Sequence, residues 1–140
     1  MPSSIPNFPV PVVRLVLVNE RNRVLLLRRA DGMQGEGGWC LPGGKIDYGQ
    51  TVAEAIGREL EEETNLQITS LRFLLYQDSL PLEAGGMHCL NLYFQCEWSG
   101  SLVLNSESKE HAWIGKDEMD KYDIVFGNSE ALQRYWAMKH

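Results

Sequence analysis

The chain has 140 residues, of which 44% are hydrophobic and 23% charged, which is enough for one domain with a buried core and too short for two. Its net charge of −6, from 19 acidic and 13 basic residues, argues against a nucleic-acid backbone as the main partner, because such proteins need clustered Lys and Arg. No apolar run approaches the roughly 18 residues that cross a membrane, and the start lacks a secretory signal, so we predict a soluble cytoplasmic protein.

A loose arm followed by a β-hairpin is predicted at the start of the chain. Residues 1–9 are rich in Pro and Ser and are predicted to be a flexible arm, with residues 10–140 forming a single domain. Residues 10–18 are apolar and β-branched, which predicts a strand. Residues 23–28 predict the returning strand of a hairpin, across a turn at residues 19–22.

The rest of the chain is predicted to mix strands and helices. Four glycines in residues 31–38 predict a mobile loop. Three further strands are predicted, at residues 71–76, 88–98 and 112–114. In the second of them the even-numbered residues form the more apolar face. A C-terminal helix is predicted with Asn128 or Ser129 as its cap, so the architecture is mixed α/β.

A helix between these strands has clear start and stop signals. Thr51 and Glu54 form a capping-box pattern, which predicts that the helix begins at about Val52. Asn65 is predicted to end it, because Asn tolerates a positive φ better than most residues.

Three carboxylates are predicted to lie along one edge of this helix. At about 100° per residue, Glu59, Glu62 and Glu63 fall together, while Glu61 points to solvent. The adjoining buried face is predicted to contain Val52, Ala53, Ile56 and Leu60. Like charges at this spacing destabilise a helix, and a hard divalent cation such as Mg²⁺ would neutralise them. The alternative is a solvated acidic face with an Arg58–Glu62 ion pair.

The segment 43–66, GGKIDYGQTVAEAIGRELEEETNL, resembles the motif of the Nudix (MutT-like) hydrolase family. Gly44 takes the first position of the motif, and the run from Arg58 to Leu66 fits its end with the correct spacing. Two positions depart from it, with Gln50 in place of the motif's first Glu and Asn65 in place of its late Gly. The resemblance implies a Nudix-type α/β/α sandwich with a mixed central sheet and a catalytic loop-helix-loop.

This resemblance also implies a reaction and a set of metal ligands. The reaction is attack of water on phosphorus in a nucleoside diphosphate linked to another group, with Mg²⁺ or Mn²⁺ as cofactor. The ligands would be Glu59, Glu62 and Glu63, with the backbone carbonyl of Gly44 as a further candidate. Arg58 is then expected to hold one of these acids in place through its rigid guanidinium.

The general base is left open by the sequence, between a helix glutamate and an acid on a distant loop. Residues 107–113 resemble the acid-before-tryptophan region of the family. Glu110 is our first choice as an additional ligand or base, with Glu107 second. His111 has a suitable ordinary pKa, although a lone histidine is more often structural.

Contacts to the substrate are predicted for four residues. Arg28 and Arg29 end a strand ahead of the glycine loop, where they could meet a phosphate or a terminal sugar. Lys45 could contact phosphate, the alternative being a solvent-facing lysine. Phe126 could stack on a base, the alternative being a place in the core.

Three functions stay open at this point. The first is hydrolysis of a nucleoside diphosphate sugar, such as ADP-ribose, or a related nucleotide. The second is a house-cleaning nucleoside triphosphate pyrophosphatase. The third is a nucleotide-sensing domain of low turnover, which Gln50 would allow, although the three intact glutamates favour catalysis. A small nucleotide is the expected partner; homodimers are common in the family, but nothing in the sequence demonstrates one.

Overall fold

The computed structural model of this chain describes residues 5–138, in which seven strands accompany two α-helices and one 3-10 helix. The strands are β1 (Val10–Leu17), β2 (Val24–Arg29), β3 (Trp39–Cys40), β4 (Gly43–Lys45), β5 (Gln67–Ser79), β6 (Cys89–Ser99) and β7 (Ser108–Ile114). The helices are α1 (Val52–Thr64) and α2 (Asn128–Ala137), and the 3-10 helix is Lys116–Lys121. Residues 1–4 of the predicted flexible arm lie outside the described residues. Between residues 5 and 138, every helix is too short or too polar to cross a membrane.

The predicted hairpin is wrong, because β1 and β2 lie in different sheets. One sheet has the order β4-β1-β6-β5, with β1 antiparallel to β4 and parallel to β6. The other has the order β3-β2-β7 and is antiparallel. A single bridge, Val18 to Val24, joins β1 to β2 across the turn. The reason lies in β1, whose near-continuous apolar run is buried on both faces and takes a partner along both edges, as central strands do.

The two helices cover opposite faces of this pair of sheets. A cluster under α1 contains Leu15 and Leu25 from the two sheets together with Ile56 and Leu60. A second cluster under α2 contains Val16, Leu26 and Tyr93 with Leu132 and Tyr135. Odd-numbered residues of β1 and β2 thus face α1, and even-numbered ones face α2. This confirms the mixed-sheet α/β/α sandwich.

Three strands differ in extent from the prediction. β5 and β7 are longer than residues 71–76 and 112–114, because their polar end residues pair in the sheets although they interrupt the apolar pattern. Residues 43–45, for which no strand was predicted, form β4 against β1. The glycine-rich residues 31–38 form a series of turns without a strand or helix.

The polar face of β6 is buried deeper than its sequence indicates. Asn91 and Tyr93, both odd-numbered, are 5% and 1% exposed. Both donate hydrogen bonds to the side-chain oxygen of Gln77, and the amide nitrogen of Asn128 donates to the Tyr93 hydroxyl. The Asn128 oxygen accepts from the backbone N–H of Leu41 at 2.9 Å. A buried hydrogen-bonded network therefore lies where alternation predicted a solvated face.

Asn128 is the first residue of α2 rather than its cap, which is Gly127 at φ 72°. Because its side chain satisfies this buried network, replacing it with Ala leaves the Leu41 N–H without an acceptor. We expect Asn128→Ala to lower the free energy of unfolding by about 2–3 kcal/mol in a denaturant titration. Ser129→Ala is the matched control one residue along, and an equal loss there would contradict this assignment.

Candidate active site

Helix α1 is built as its start and stop signals predict. The Thr51 hydroxyl accepts from the backbone N–H of Glu54 at 3.1 Å, and the Glu54 carboxylate accepts from the N–H of Thr51 at 2.9 Å. These hydrogen bonds lower the pKa of Glu54. Asn65 ends the helix at φ 64°. The helix is therefore fixed at both ends, which sets the rotation of its acidic residues.

The buried face of α1 is rotated from the predicted one. Ala53 is exposed and Ala55 is fully buried in its place, whereas Ile56 and Leu60 are buried as predicted. This rotation carries Glu59 and Glu63 into the protein rather than leaving them along its edge. Glu63 is 4% exposed, and the Glu59 side chain is 14% exposed. Glu61 faces solvent, as its helical position predicts.

The backbone of β4 lies close to these two acids. The backbone N–H of Gly43 donates to Glu63 Oε1 at 2.9 Å. A Cβ added at Gly44 would lie 2.5 Å from Glu59 Oε1, so this position has room for hydrogen only. Gly43 and Gly44 thus let the backbone approach the carboxylates closely, which places the Gly44 backbone beside them.

Burial raises the pKa of the Glu63 carboxyl to about 8, although the Gly43 hydrogen bond opposes the shift. The negative charges of Glu59 and Glu107 raise it further. Burial also raises the pKa of Glu59, against the opposing charge of Arg58. Two carboxyl groups that lose their protons with difficulty therefore share one pocket, as expected where a cation would neutralise them.

Arg58 contacts the carboxylates around this pocket. Its guanidinium lies 3.1 Å from Glu59 Oε1, 3.1 Å from Glu62 Oε2 and 3.2 Å from Asp47 Oδ2. It also donates to the carbonyl oxygen of Lys45 at 3.3 Å. The predicted Arg58–Glu62 pair is present, and the Glu62 side chain is half-exposed. Throughout residues 5–138, no three acidic, histidine or cysteine side chains converge closely enough to hold a metal ion. The structure thus brings Glu59 and Glu63 together, whereas Glu62 forms an ion pair with Arg58.

Glu107 and Glu110, the two acids that the sequence offers as a base, differ in the groups with which they interact. The charge of Glu107 raises the pKa of both Glu59 and Glu63. Glu110 is half-exposed and paired with Arg28 at 2.6 Å. The reason is the register of β7, since Glu110 is opposite Arg28 within the sheet and Glu107 belongs to the turn ahead of the strand.

The predicted substrate contacts fall into two groups. Arg28 is occupied, because besides Glu110 it donates to the carbonyl of Gly37. Lys45 is exposed. Arg29 and Phe126 lie together, with the Arg29 guanidinium carbon 5.7 Å from the centre of the Phe126 ring.

Sequence reasoning missed Arg14, whose guanidinium carbon lies 5.3 Å from the centre of the same Phe126 ring. Its positive charge also lowers the pKa of Glu63. The signal in the sequence was a single charged residue inside an otherwise apolar central strand.

Known proteins resemble this chain over nearly its full length. A family model described as NUDIX domain matches residues 9–135. An ADP-ribose pyrophosphatase of Methanocaldococcus jannaschii is 28% identical over 89% of this chain and 72% of its own. An 8-oxo-dGTP diphosphatase of Haemophilus influenzae is 27% identical over 94% of both chains. The crystal structure of a MutT NUDIX hydrolase from Burkholderia pseudomallei superposes with a TM-score of 0.79 at 24% identity, covering 91% of this chain and 98% of that one.

Proposed function

Since the chain belongs to the Nudix family of hydrolases, we propose that it is a divalent-metal-dependent pyrophosphohydrolase of nucleoside diphosphates linked to another group. The observation that carries this proposal is the pair of adjacent carboxylates, the buried Glu63 and the largely buried Glu59, against the β4 backbone at Gly43 and Gly44. Burying two adjacent carboxylates costs free energy. A bound cation would offset this cost, because it neutralises their charge.

The residues fit a hard cation by their donor chemistry. Glu59, Glu63 and the Gly44 carbonyl offer oxygen atoms, which Mg²⁺ and Mn²⁺ prefer. Glu62 would complete the set once it leaves Arg58. When bound, the cation would neutralise the diphosphate and lower the pKa of a water molecule.

The chain's own residues would position this reaction. Arg58 would hold the helix acids and Asp47 in fixed relation, since its guanidinium contacts all three carboxylates. We propose Glu107 rather than Glu110 as the general base, that is, the carboxylate that takes the proton from the attacking water. Its charge influences both buried glutamates, whereas Glu110 is held by Arg28.

The preferred substrate is a nucleoside diphosphate sugar such as ADP-ribose, with a nucleoside triphosphate as the alternative. Each has support from a similar protein, the first from the archaeal ADP-ribose pyrophosphatase and the second from the bacterial 8-oxo-dGTP diphosphatase. The third hypothesis, a sensing domain of low turnover, would have little need of the buried carboxylates. The cytoplasmic location and a homodimer stay predictions.

A substrate screen tests the function directly. Purified protein with Mg²⁺ or Mn²⁺ is offered nucleoside diphosphate sugars, nucleoside triphosphates and dinucleoside polyphosphates, and the released phosphate compounds are identified. We expect turnover of at least one class, with a nucleoside monophosphate among the products. Nucleotide binding without turnover in any class would overturn the enzyme and leave the sensing domain.

Gln50 tests how far the metal site extends. Its side-chain oxygen accepts from the backbone N–H of Asp47 at 3.0 Å, a bond that a carboxylate would keep. We expect Gln50→Glu to tighten Mn²⁺ binding several-fold in a calorimetric titration, because it adds a negative charge next to Asp47, whose carboxylate shares the Arg58 guanidinium with the helix acids. An unchanged Mn²⁺ affinity would place residue 50 outside the reach of the cation.

A further inference from the structure

We propose that Arg14 and Arg29, arranged around Phe126, form a subsite for a phosphate group of the nucleotide substrate. This inference rests on the proposed function and deepens it, because it assigns the residues that hold the anionic part of the substrate next to the acids. Arg14 is the new element, since it was not assigned to a site from the sequence.

The first observation is that both guanidiniums lie on one aromatic ring without an acidic partner. Their carbon atoms are 5.3 and 5.7 Å from the centre of the Phe126 ring. Among the ion pairs within residues 5–138, the arginines at 23, 28 and 58 each have a carboxylate, whereas those at 14 and 29 have none. The Nε of Arg29 donates to the carbonyl oxygen of Gln34 at 3.0 Å, so in this chain of net charge −6 an anion would meet the remaining guanidinium nitrogens of Arg14 and Arg29.

The second observation is that Arg14 is incompletely bonded inside the protein. Its Nε is buried and has no hydrogen-bond partner, and one terminal nitrogen reaches the Leu41 carbonyl at the long distance of 3.5 Å. Buried donors are normally satisfied, so this nitrogen points to a missing acceptor. A phosphate offers several oxygens and suits the fork of a guanidinium.

The third observation is the strained backbone of Phe126. Its φ is 62°, which is rare for a bulky side chain and costs free energy that the surroundings must supply. The ring is packed by Gly35, where an added Cβ would lie 2.7 Å from the ring's Cζ. The fold therefore holds this ring between the arginines and the glycine loop, where cation–π contacts orient both guanidiniums.

The subsite lies close to the proposed metal site in the fold. Arg14 is paired in register with Gly43, whose N–H binds Glu63. The strand that bears Arg14 thus adjoins the β4 backbone that contacts Glu63, which puts the subsite and the proposed cation site at the same edge of the sheet.

The test measures anion binding without metal or turnover. Inorganic pyrophosphate is titrated calorimetrically into the protein in EDTA at low salt. We expect Arg14→Gln to weaken binding at least about tenfold, and Arg29→Gln, at the loop edge, to weaken it similarly. Arg21→Gln, in the exposed turn after β1, is the control and should bind as the unchanged protein does. With a substrate found by the screen, Arg14→Gln should raise KM more than it lowers kcat.

Two results separate this subsite from the proposed function. If the enzyme turns over substrate but Arg14→Gln and Arg29→Gln bind pyrophosphate like Arg21→Gln, the subsite is wrong and the function stands. If pyrophosphate binding depends on Arg14 but no substrate is hydrolysed, the function fails and the subsite stands. Absence of pyrophosphate binding by the unchanged protein would also overturn the subsite.

Discussion

Glu63→Gln should make the metal-free protein more stable while lowering turnover about a thousandfold. Burial raises the pKa of Glu63 to about 8 from its ordinary value of 4.5, so the ionised side chain is unfavourable in the folded protein. Gln keeps an oxygen that can accept from the Gly43 N–H and carries no charge. Loss of a metal ligand removes several kcal/mol of transition-state stabilisation, which corresponds to about a thousandfold in kcat.

The pH dependence of the stability gain follows from proton binding. Between the ordinary pKa and the raised one, the folded protein holds the Glu63 proton more tightly than the unfolded chain. The free energy of unfolding therefore falls as the pH rises from about 4.5 to about 8 and levels off above that range. Glu63→Gln should lose this slope, and at pH 8 in EDTA its Tm should be at least about 3 °C higher.

Thermal melts from pH 5 to pH 9 in EDTA check the stability, and turnover with Mg²⁺ checks the chemistry. Glu61→Gln is the matched control on the exposed side of the same helix turn, and it should change neither quantity. Equal Tm values for the unchanged protein and Glu63→Gln at pH 8 would show that Glu63 carries little buried charge. Unchanged turnover would remove it from the metal ligands.

Gly43→Ala and Gly44→Ala should fail in different ways although they are adjacent. A Cβ on Gly43 would overlap the backbone carbonyl of Val13 in the neighbouring strand, and its φ of 149° is unfavourable for an L-residue. Backbone cannot move aside cheaply, so we expect the free energy of unfolding to fall by about 3 kcal/mol or more. A Cβ on Gly44 would instead meet the carboxylate end of Glu59, at 2.5 Å.

The Glu59 side chain can rotate, so Gly44→Ala should change stability by no more than about 1 kcal/mol. It should nevertheless lower kcat about a hundredfold, because it displaces an acid of the proposed metal site. A denaturant titration and steady-state kinetics on both variants give the comparison. Full activity in Gly44→Ala would show that the position of Glu59 does not matter, and a stable Gly43→Ala would contradict the close packing of β4 on β1.

The helix between Thr51 and Asn65 was predictable, because its start and end depend on residues that are close together in the sequence. The cap at Thr51, the stop at Asn65 and the exposure of Glu61 depend on residues within a few positions of one another. The depth of Glu59 and Glu63 was not predictable, because it depends on which strand the helix packs against. The spacing of Glu59 and Glu63 along the helix is the same whether they lie at the edge of the buried face or are rotated into the protein.

Contacts between distant segments were beyond the sequence for the same reason. The pairing of β1 with β6 joins residues about 80 positions apart, and no turn signal announces it. Glu110 was ranked above Glu107 from the sequence, but their different surroundings arise from the register of β7 against β2, which the sequence does not show. Arg14 and Phe126 meet only after α2 is placed over the sheet.

The three residues from Leu41 to Gly43 are held from both outer layers of the sandwich. The Leu41 N–H binds Asn128 at the start of α2, and the Gly43 N–H binds Glu63 on α1. This tripeptide therefore connects the two helices through hydrogen bonds. One end binds the uncharged amide of Asn128, and the other binds the ionisable carboxyl group of Glu63. A change in the charge of Glu63 would therefore act on a backbone segment whose other end is held by the uncharged side chain of Asn128.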